Sequence, residues 1–301
     1  MSRRTEGEYA MTSRLLMPVR ITPRITPRTT TRITPRTTTR TAARTTTGAA
    51  AEDAVGSTRS TPILDLEHPG VVAFVARVLR EADERGAVTA RDRLRVAHGI
   101  VAATVRPVYS VEDLRRVSRT LRLGRGSCSQ RMAVLEAVAR SLGVPTRVRG
   151  MRVDGAFWYP RFPRLHAFVP EEVVLAWPEF RLDGAWVPID GLFGGDDRTR
   201  EHGFTNTGPE TLFEAVARTG VDWDAPSACG ADSAAPCDFS AHLRTDLGRF
   251  ASRDELFARH GQTLCRPART LAEPVLGRWS AGAAAPASQD PAGPPARPSA
   301  A

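Results

Sequence analysis

The spacing of apolar residues along the chain is helical in its first part and near its C-terminus. Apolar residues recur there at steps of three and four positions, which is the period of an amphipathic helix. Proline, glycine and capping residues mark the ends of these stretches. The pattern predicts helices at 71–85, 91–105, 110–121, 128–142, 209–218 and 252–259.

Between the two helical regions, the pattern changes to runs rich in β-branched and aromatic residues. These runs predict strands at 147–153, 173–182 and 185–189. The dipeptide Asp183-Gly184 separates the last two, and it is the strongest short signal for a two-residue hairpin with a type I′ turn. With Leu182 opposite Ala185, residues 175, 177 and 179 share the strand face that carries residue 190. Helices followed by an antiparallel sheet predict an α+β fold.

A cysteine lies at the start of the helix predicted at 128–142. Ser127 and Gln130 form a capping-box pattern that places Cys128 in the first helical turn. The unpaired N–H groups and partial positive charge of a helix N-terminus stabilise a thiolate, so we expect a lowered pKa for Cys128. Two interpretations remain open from these residues alone: Cys128 is a nucleophile, or it is a small buried apolar side chain.

The motifs around this cysteine and the hairpin resemble those of the transglutaminase-like superfamily. That family has a G-x-C helix start, a G-[IV]-P-x-R motif, and a hairpin that reads H-A-W-x-E and ends in W-V-x-x-D. The corresponding segments here are 126–128, 143–147, 176–179 and 186–190. The resemblance covers about residues 65–195. It implies a papain-like core, in which N-terminal helices and the cysteine helix pack on a small antiparallel sheet, and it assigns Cys128 and Asp190 to a Cys-His-Asp triad.

The position of the family's catalytic histidine is occupied by Leu175. In the family, that histidine takes the thiol proton and the aspartate orients its ring, and leucine can do neither. His166 is the candidate replacement, because an alanine and an aromatic residue follow it, but it can also be an ordinary loop histidine. Four other histidines have weaker claims to this role: His98, His202, His242 and His260.

Two functions therefore remain open. The first is a catalytically degenerate transglutaminase-like domain that binds a peptide or protein in the Cys128 cleft, with Trp177 and Glu179 as contact residues. The second is a cysteine-dependent acyltransferase or amide hydrolase, which forms a thioester at Cys128 and uses a non-standard base such as His166. The sequence does not decide whether the protein is an enzyme. No cofactor is predicted, and no metal site, because the cysteine and histidine spacings match no metal-binding pattern.

The charge of the chain is concentrated at one end. The chain of 301 residues has a formal net charge of +9, and all 42 of its basic residues are arginines. Residues 1–60 contain eleven arginines and four acidic residues, so they supply +7 of the total. From 20 to 44 an arginine recurs at every fourth position among threonines and prolines. This composition predicts disorder and only a weak tendency to bind nucleic acid.

These patterns divide the chain into three parts. We expect a disordered Arg/Thr-rich tail at 1–60, a transglutaminase-like domain with a helical C-terminal extension at 61–275, and a disordered Ala/Pro-rich tail at 276–301. No stretch is apolar for long enough to suggest a membrane span or a secretory signal. Four scattered cysteines are expected to be thiols. The sequence thus predicts a bacterial, cytoplasmic protein with a peptide or protein partner and no membrane partner.

Overall fold

The computed structural model describes residues 54–162, 164–194, 204, 210–224 and 239–281. Within this part of the chain, seven α-helices accompany six strands. The helices are α1 (Pro69–Glu84), α2 (Ala90–Thr104), α3 (Val117–Leu123), α4 (Cys128–Ser141), α5 (Leu212–Ala215), α6 (Arg253–His260) and α7 (Arg266–Leu276). The fold is α+β, as the sequence predicts.

The strands form one four-stranded antiparallel sheet and one short parallel pair. The pair joins β1 (Arg106–Pro107) to β2 (Arg125–Gly126). The sheet contains β3 (Thr146–Asp154), β4 (Glu172–Leu182), β5 (Ala185–Pro188) and β6 (Leu243–Phe250), in the order β5-β4-β3-β6. The predicted hairpin register is confirmed, because Leu182 pairs with Ala185. Asp183 and Gly184 both have positive φ, at 51° and 79°, as a type I′ turn requires.

Helix α4 lies at the centre of the molecule. It packs against α2, α3 and β4, and every residue from Gln130 to Arg140 is buried. The sequence predicts one apolar face, but the structure buries the whole middle of the helix, including charged side chains. Each charged side chain is paired or hydrogen-bonded, since an unpaired charge at such a site would be costly; the three are Arg131, Glu136 and Arg140.

The prediction of a helix at 110–121 is wrong at its start, where Ser110 and Asp113 have the spacing of a capping box. The helix in this region is α3, which begins at Val117. The Ser110 hydroxyl donates to Glu273, and an Asp113 carboxylate oxygen accepts from the backbone N–H of Thr263 at 2.9 Å. Contacts with the C-terminal part of the chain therefore replace the local cap.

The extension predicted as helical also contains a strand, β6, which pairs with β3. Folded contacts reach beyond the predicted limits of 61 and 275: the backbone of Ser57 pairs with Thr146, and the N–H of Ala281 donates to Pro107. Residues 1–53 and 282–301 lie outside the described residues, so disorder there stays a prediction. No helix in the described part of the chain is long and apolar enough to cross a membrane.

Candidate functional site

Cys128 is the first residue of α4, as the capping pattern predicts. The Ser127 hydroxyl accepts a hydrogen bond from the backbone N–H of Gln130 at 3.4 Å, and the Gln130 side chain accepts one from the N–H of Ser127 at 3.0 Å. These two bonds satisfy N–H groups that the first turn of a helix leaves without partners. The sequence alone therefore locates Cys128 correctly within its helix.

The amide of Gln130 also ties this helix start to other elements. Its Nε2 donates to the Ser110 hydroxyl and to the Glu112 carbonyl, both at 2.8 Å. Its Oε1 accepts from Arg115 at 3.0 Å, and Arg115 in turn forms an ion pair with Glu273 of α7. The backbone before Cys128 is thus held by a buried polar network that reaches the C-terminal helix.

Arg253 joins the start of α4 to strand β4. Its guanidinium donates to the Ser129 hydroxyl at 2.8 Å and to the Ala176 carbonyl at 3.2 Å. The residue after Cys128 and the residue after Leu175 therefore lie within the reach of one guanidinium. Leu175 itself is buried in the core. The strand position at which the resemblance expects a base thus carries a buried aliphatic side chain, on a strand that packs against the cysteine helix.

The two contact residues proposed from the sequence are both buried. Trp177 is fully buried, and its ring lies edge-on to Trp223 with the centroids 5.3 Å apart. Glu179 is also buried and forms ion pairs with Arg147 at 2.5 Å and Arg249 at 3.2 Å. A tryptophan covered by another ring and a carboxylate neutralised by two arginines stabilise the fold. Their assignment as ligand contacts stays a prediction.

Asp190 begins a short 3₁₀ segment, Asp190–Phe193, immediately after the hairpin. The ladder of β4 and β5 ends one step earlier, where the Ile189 N–H donates to the Pro178 carbonyl at 3.1 Å. Asp190 therefore lies beyond the β4–β5 ladder, whereas the register predicted from the sequence extends the strand face of residues 175, 177 and 179 to it. Its carboxylate accepts from the backbone N–H of Val221 at 3.2 Å, so the third position of the presumed triad binds a backbone group.

His166 lies in another short 3₁₀ segment, His166–Phe168. The residue is exposed, and its ring contacts Tyr159 with the centroids 5.6 Å apart. Cys128, by contrast, is half-buried. The contacts of His166 thus favour the loop interpretation over its use as a base.

The thiol of Cys128 is surrounded by groups from α4, α5 and the segment Gly155–Arg161. Burial raises the pKa of the Cys128 thiol, and this outweighs the opposing effects of the Arg131 charge, a hydrogen bond from the Phe213 backbone and the Arg161 charge. The lowered pKa expected from the helix N-terminus is therefore wrong. The carboxylate of Glu214 disfavours the thiolate further.

From its sequence position His98 has only a weak claim to the role of base, but the structure places it beside this site. His98 is buried on α2, and its Nε2 donates to the Phe213 carbonyl at 2.6 Å. The backbone of the same residue also acts on the thiol, because it lowers the pKa of Cys128, so Phe213 lies close to both the histidine and the thiol. Burial lowers the pKa of His98, and the Arg131 charge adds to this effect. The helical period buries position 98, but the sequence contains no signal that joins it to Phe213.

Metal chemistry finds no support in the described ranges. No group of three or more histidine, cysteine, aspartate or glutamate side chains lies there in an arrangement that could hold a metal ion. Cys229, Cys237 and His202 lie outside the described residues.

A known protein family matches the part of the chain that contains this site. The model of the transglutaminase-like superfamily matches residues 81–191. That span contains the Cys128 helix, the β4–β5 hairpin and Asp190. The resemblance inferred from the sequence motifs is thus confirmed over these residues. No curated protein and no solved structure matches the chain.

Proposed function

We propose that this transglutaminase-like domain is catalytically degenerate and acts by binding a peptide or protein segment at the Cys128 site. The observation that carries the proposal is the buried Leu175 on the strand that packs against the cysteine helix. The resemblance to the family implies a catalytic histidine at this position. Without a base to accept the thiol proton, acyl transfer through the thiol would be slower by about two to four orders of magnitude.

The surroundings of the thiol support the same conclusion. A thiolate nucleophile needs a lowered pKa or an adjacent base, whereas burial raises the pKa of Cys128. The Phe213 backbone and the charges of Arg131 and Arg161 oppose this rise but do not reverse it. A backbone N–H or a guanidinium can stabilise a thiolate, but neither can remove the thiol proton.

Alkylation of Cys128 tests the proposal directly. A full-length variant in which Cys229, Cys237 and Cys265 are serine leaves Cys128 as the one thiol. We expect slow labelling by iodoacetamide at neutral pH and a rate that rises only above the ordinary thiol pKa of about 8.5. Adding Cys128→Ser to the same background is the matched control and should abolish labelling.

The opposite outcome would support the enzyme alternative. Rapid labelling at pH 6 with a plateau towards neutral pH would show a thiolate that a base stabilises. If His166→Ala then removed this fast phase, His166 would be that base. If His98→Ala removed it, the base would be the buried histidine that bonds to Phe213. Either result would overturn the degenerate assignment.

A further inference from the structure

We propose that residues 210–216 occupy the binding site beside Cys128 as a ligand contained within the chain, and that a partner peptide with an aromatic residue followed by a carboxylate replaces them. The inference rests on the proposed function, because it names the class of ligand for that same site. Three sets of contacts carry it: those of the Phe213 ring, of the Phe213 backbone and of the Glu214 carboxylate.

The ring of Phe213 is enclosed by side chains of the core. It is fully buried and stacks on the imidazole of His98, with the centroids 4.3 Å apart and the planes at 16°. The guanidinium carbon of Arg131 lies 4.4 Å from the centroid of the same ring. Stacking with an imidazole and a guanidinium favours an aromatic side chain over an aliphatic one of similar size.

The backbone of Phe213 makes contacts that any peptide could make. Its carbonyl accepts from Nε2 of His98 at 2.6 Å, and the Phe213 backbone lowers the pKa of the nearby Cys128 thiol. The main chain of this one residue therefore lies close to both side chains. Main-chain contacts of this kind give affinity without depending on sequence, while side-chain pockets give specificity.

The carboxylate of Glu214 supplies the charge that this site requires. Arg131 is fully buried and pairs with Glu214 at 2.7 Å; the guanidinium also donates to the Thr211 hydroxyl at 3.1 Å. Burial alone would raise the pKa of Glu214, but Arg131 and the hydrogen bonds from Thr211 lower it, so the carboxylate is ionised. A ligand without a carboxylate here would leave a buried guanidinium charge uncompensated, which is strongly unfavourable.

The receptor and the ligand segment come from different parts of the chain. His98, Cys128 and Arg131 lie within the span that matches the family, residues 81–191, and Phe213 lies beyond it. The segment forms only the four-residue helix α5. Arg161 holds its beginning through a bond to the Glu210 carbonyl at 2.5 Å. The core thus provides a site for an aromatic-acidic dipeptide, and the extension fills it.

Peptide binding to full-length variants tests the inference. The probe is a fluorescein-labelled peptide with the sequence of residues 210–216, and its control carries alanine in place of the phenylalanine. In fluorescence anisotropy, we expect the probe to bind Phe213→Ala at least about tenfold more tightly than the wild-type protein, because the variant leaves the ring site empty. The alanine peptide should bind neither protein. Equal affinity of the probe for the two proteins, or equal affinity of the two peptides for the variant, would overturn the inference.

Because Phe213→Ala removes a buried ring and could prevent folding, Glu214→Gln provides a second test. This variant removes one charge and keeps the shape of the side chain. With Cys128 as the one thiol, we expect Glu214→Gln to raise its alkylation rate severalfold and the unlabelled peptide to lower the rate again. Glu81→Gln, at a partly exposed position of α1, is the matched control and should leave the alkylation rate unchanged. An unchanged rate in Glu214→Gln would contradict the inference.

The two proposals fail in different ways. A fast thiolate reaction at pH 6 would refute the degenerate assignment whatever the peptide does. An inert thiol combined with no peptide binding would refute only the assignment of residues 210–216 as a built-in ligand.

Discussion

The ion pair between Arg253 and Glu136 permits a quantitative prediction about how the cysteine helix is held. The two side chains are 1% and 0% exposed and lie 2.5 Å apart. Arg253 also bonds to Ser129 and to the carbonyl of Ala176. We therefore expect Arg253→Met to destabilise the fold by more than an exposed ion pair would, because it leaves a carboxylate in the core without its partner.

The magnitude follows from the burial of the pair. Removing one partner of a buried ion pair costs about 3–5 kcal/mol, because the remaining charge is uncompensated. The lost bonds to Ser129 and Ala176 would contribute about 1 kcal/mol each if they were independent, but bonds in one network are not additive. We expect a loss of about 4 kcal/mol in the free energy of unfolding. Replacing both partners, in Glu136→Leu with Arg253→Met, should recover part of this loss.

The loss should also depend on pH. Burial raises the pKa of Glu136, and the Arg253 charge opposes this rise. Without Arg253 the folded-state pKa rises further, so the folded variant prefers a protonated carboxyl group. The deficit is then smallest below the unfolded-state pKa of about 4.3 and grows as pH rises through the folded-state value.

Urea unfolding followed by tryptophan fluorescence measures this deficit at pH 4.5 and pH 8. Arg77→Met is the matched control, because Arg77 pairs with Glu81 on the partly exposed surface of α1 and should cost at most about 1 kcal/mol. A deficit for Arg253→Met no larger than that of the control would refute the reasoning. So would a deficit that is larger at pH 4.5 than at pH 8.

Three further changes have expected outcomes, which urea or thermal unfolding can measure. Burial raises the pKa of Asp113 to about 6, so the free energy of unfolding should decline by on the order of 1–2 kcal/mol as pH rises from about 4 to 6. Asp113→Asn should remove this pH dependence, and an unchanged dependence would assign it to another group. Gly155→Ala should cost about 2–3 kcal/mol, because the new Cβ would lie 1.7 Å from the carbonyl oxygen of Pro170, and a neutral result would contradict that close approach. Gly184→Ala should cost about 1 kcal/mol, since φ is 79° at this turn position, and a stabilised variant would show that the turn adopts another type.

The parts of the fold that the sequence predicts well are those that local interactions determine. The capping box of Ser127 and Gln130 and the turn at Asp183-Gly184 each act within four residues, and both are present in the structure. Ser252 likewise caps α6 through the N–H of Glu255. In each case the side chain and the backbone group it satisfies are close in sequence, so no distant contact competes with them.

The parts that the sequence misses depend on distant partners. Ser110 has the form of a helix cap, but it binds Glu273, 163 residues away. Glu179 has the pattern of a cleft residue, but its partners are Arg147 and Arg249. The pairing of His98 with Phe213 spans 115 residues. Hydrophobic periodicity shows that such positions are buried or exposed, but it does not show which side chain fills the space opposite.

The same long-range contacts imply that the family-matched span does not fold by itself. Residues 192–281 supply β6, which covers the outer edge of β3, and they supply Arg253 and Glu273. Without them, Glu136 loses its ion-pair partner in the middle of α4. The network that fixes the start of α4 also loses the carboxylate that pairs with Arg115.

A fragment of residues 54–224 tests this dependence against a control fragment of residues 54–281. We expect the longer fragment to unfold cooperatively in urea. The shorter fragment should show no cooperative transition and no near-ultraviolet circular dichroism signal from fixed aromatic side chains. It contains a buried unpaired charge and an exposed strand edge, and their combined free-energy cost exceeds the few kcal/mol by which a domain is stable. If the shorter fragment unfolds cooperatively, with a free energy of unfolding within about 2 kcal/mol of the control, the core does not depend on the C-terminal segment for its stability. Loss of the cooperative transition would instead mean that contacts from residues beyond the family-matched span hold the Cys128 helix in position.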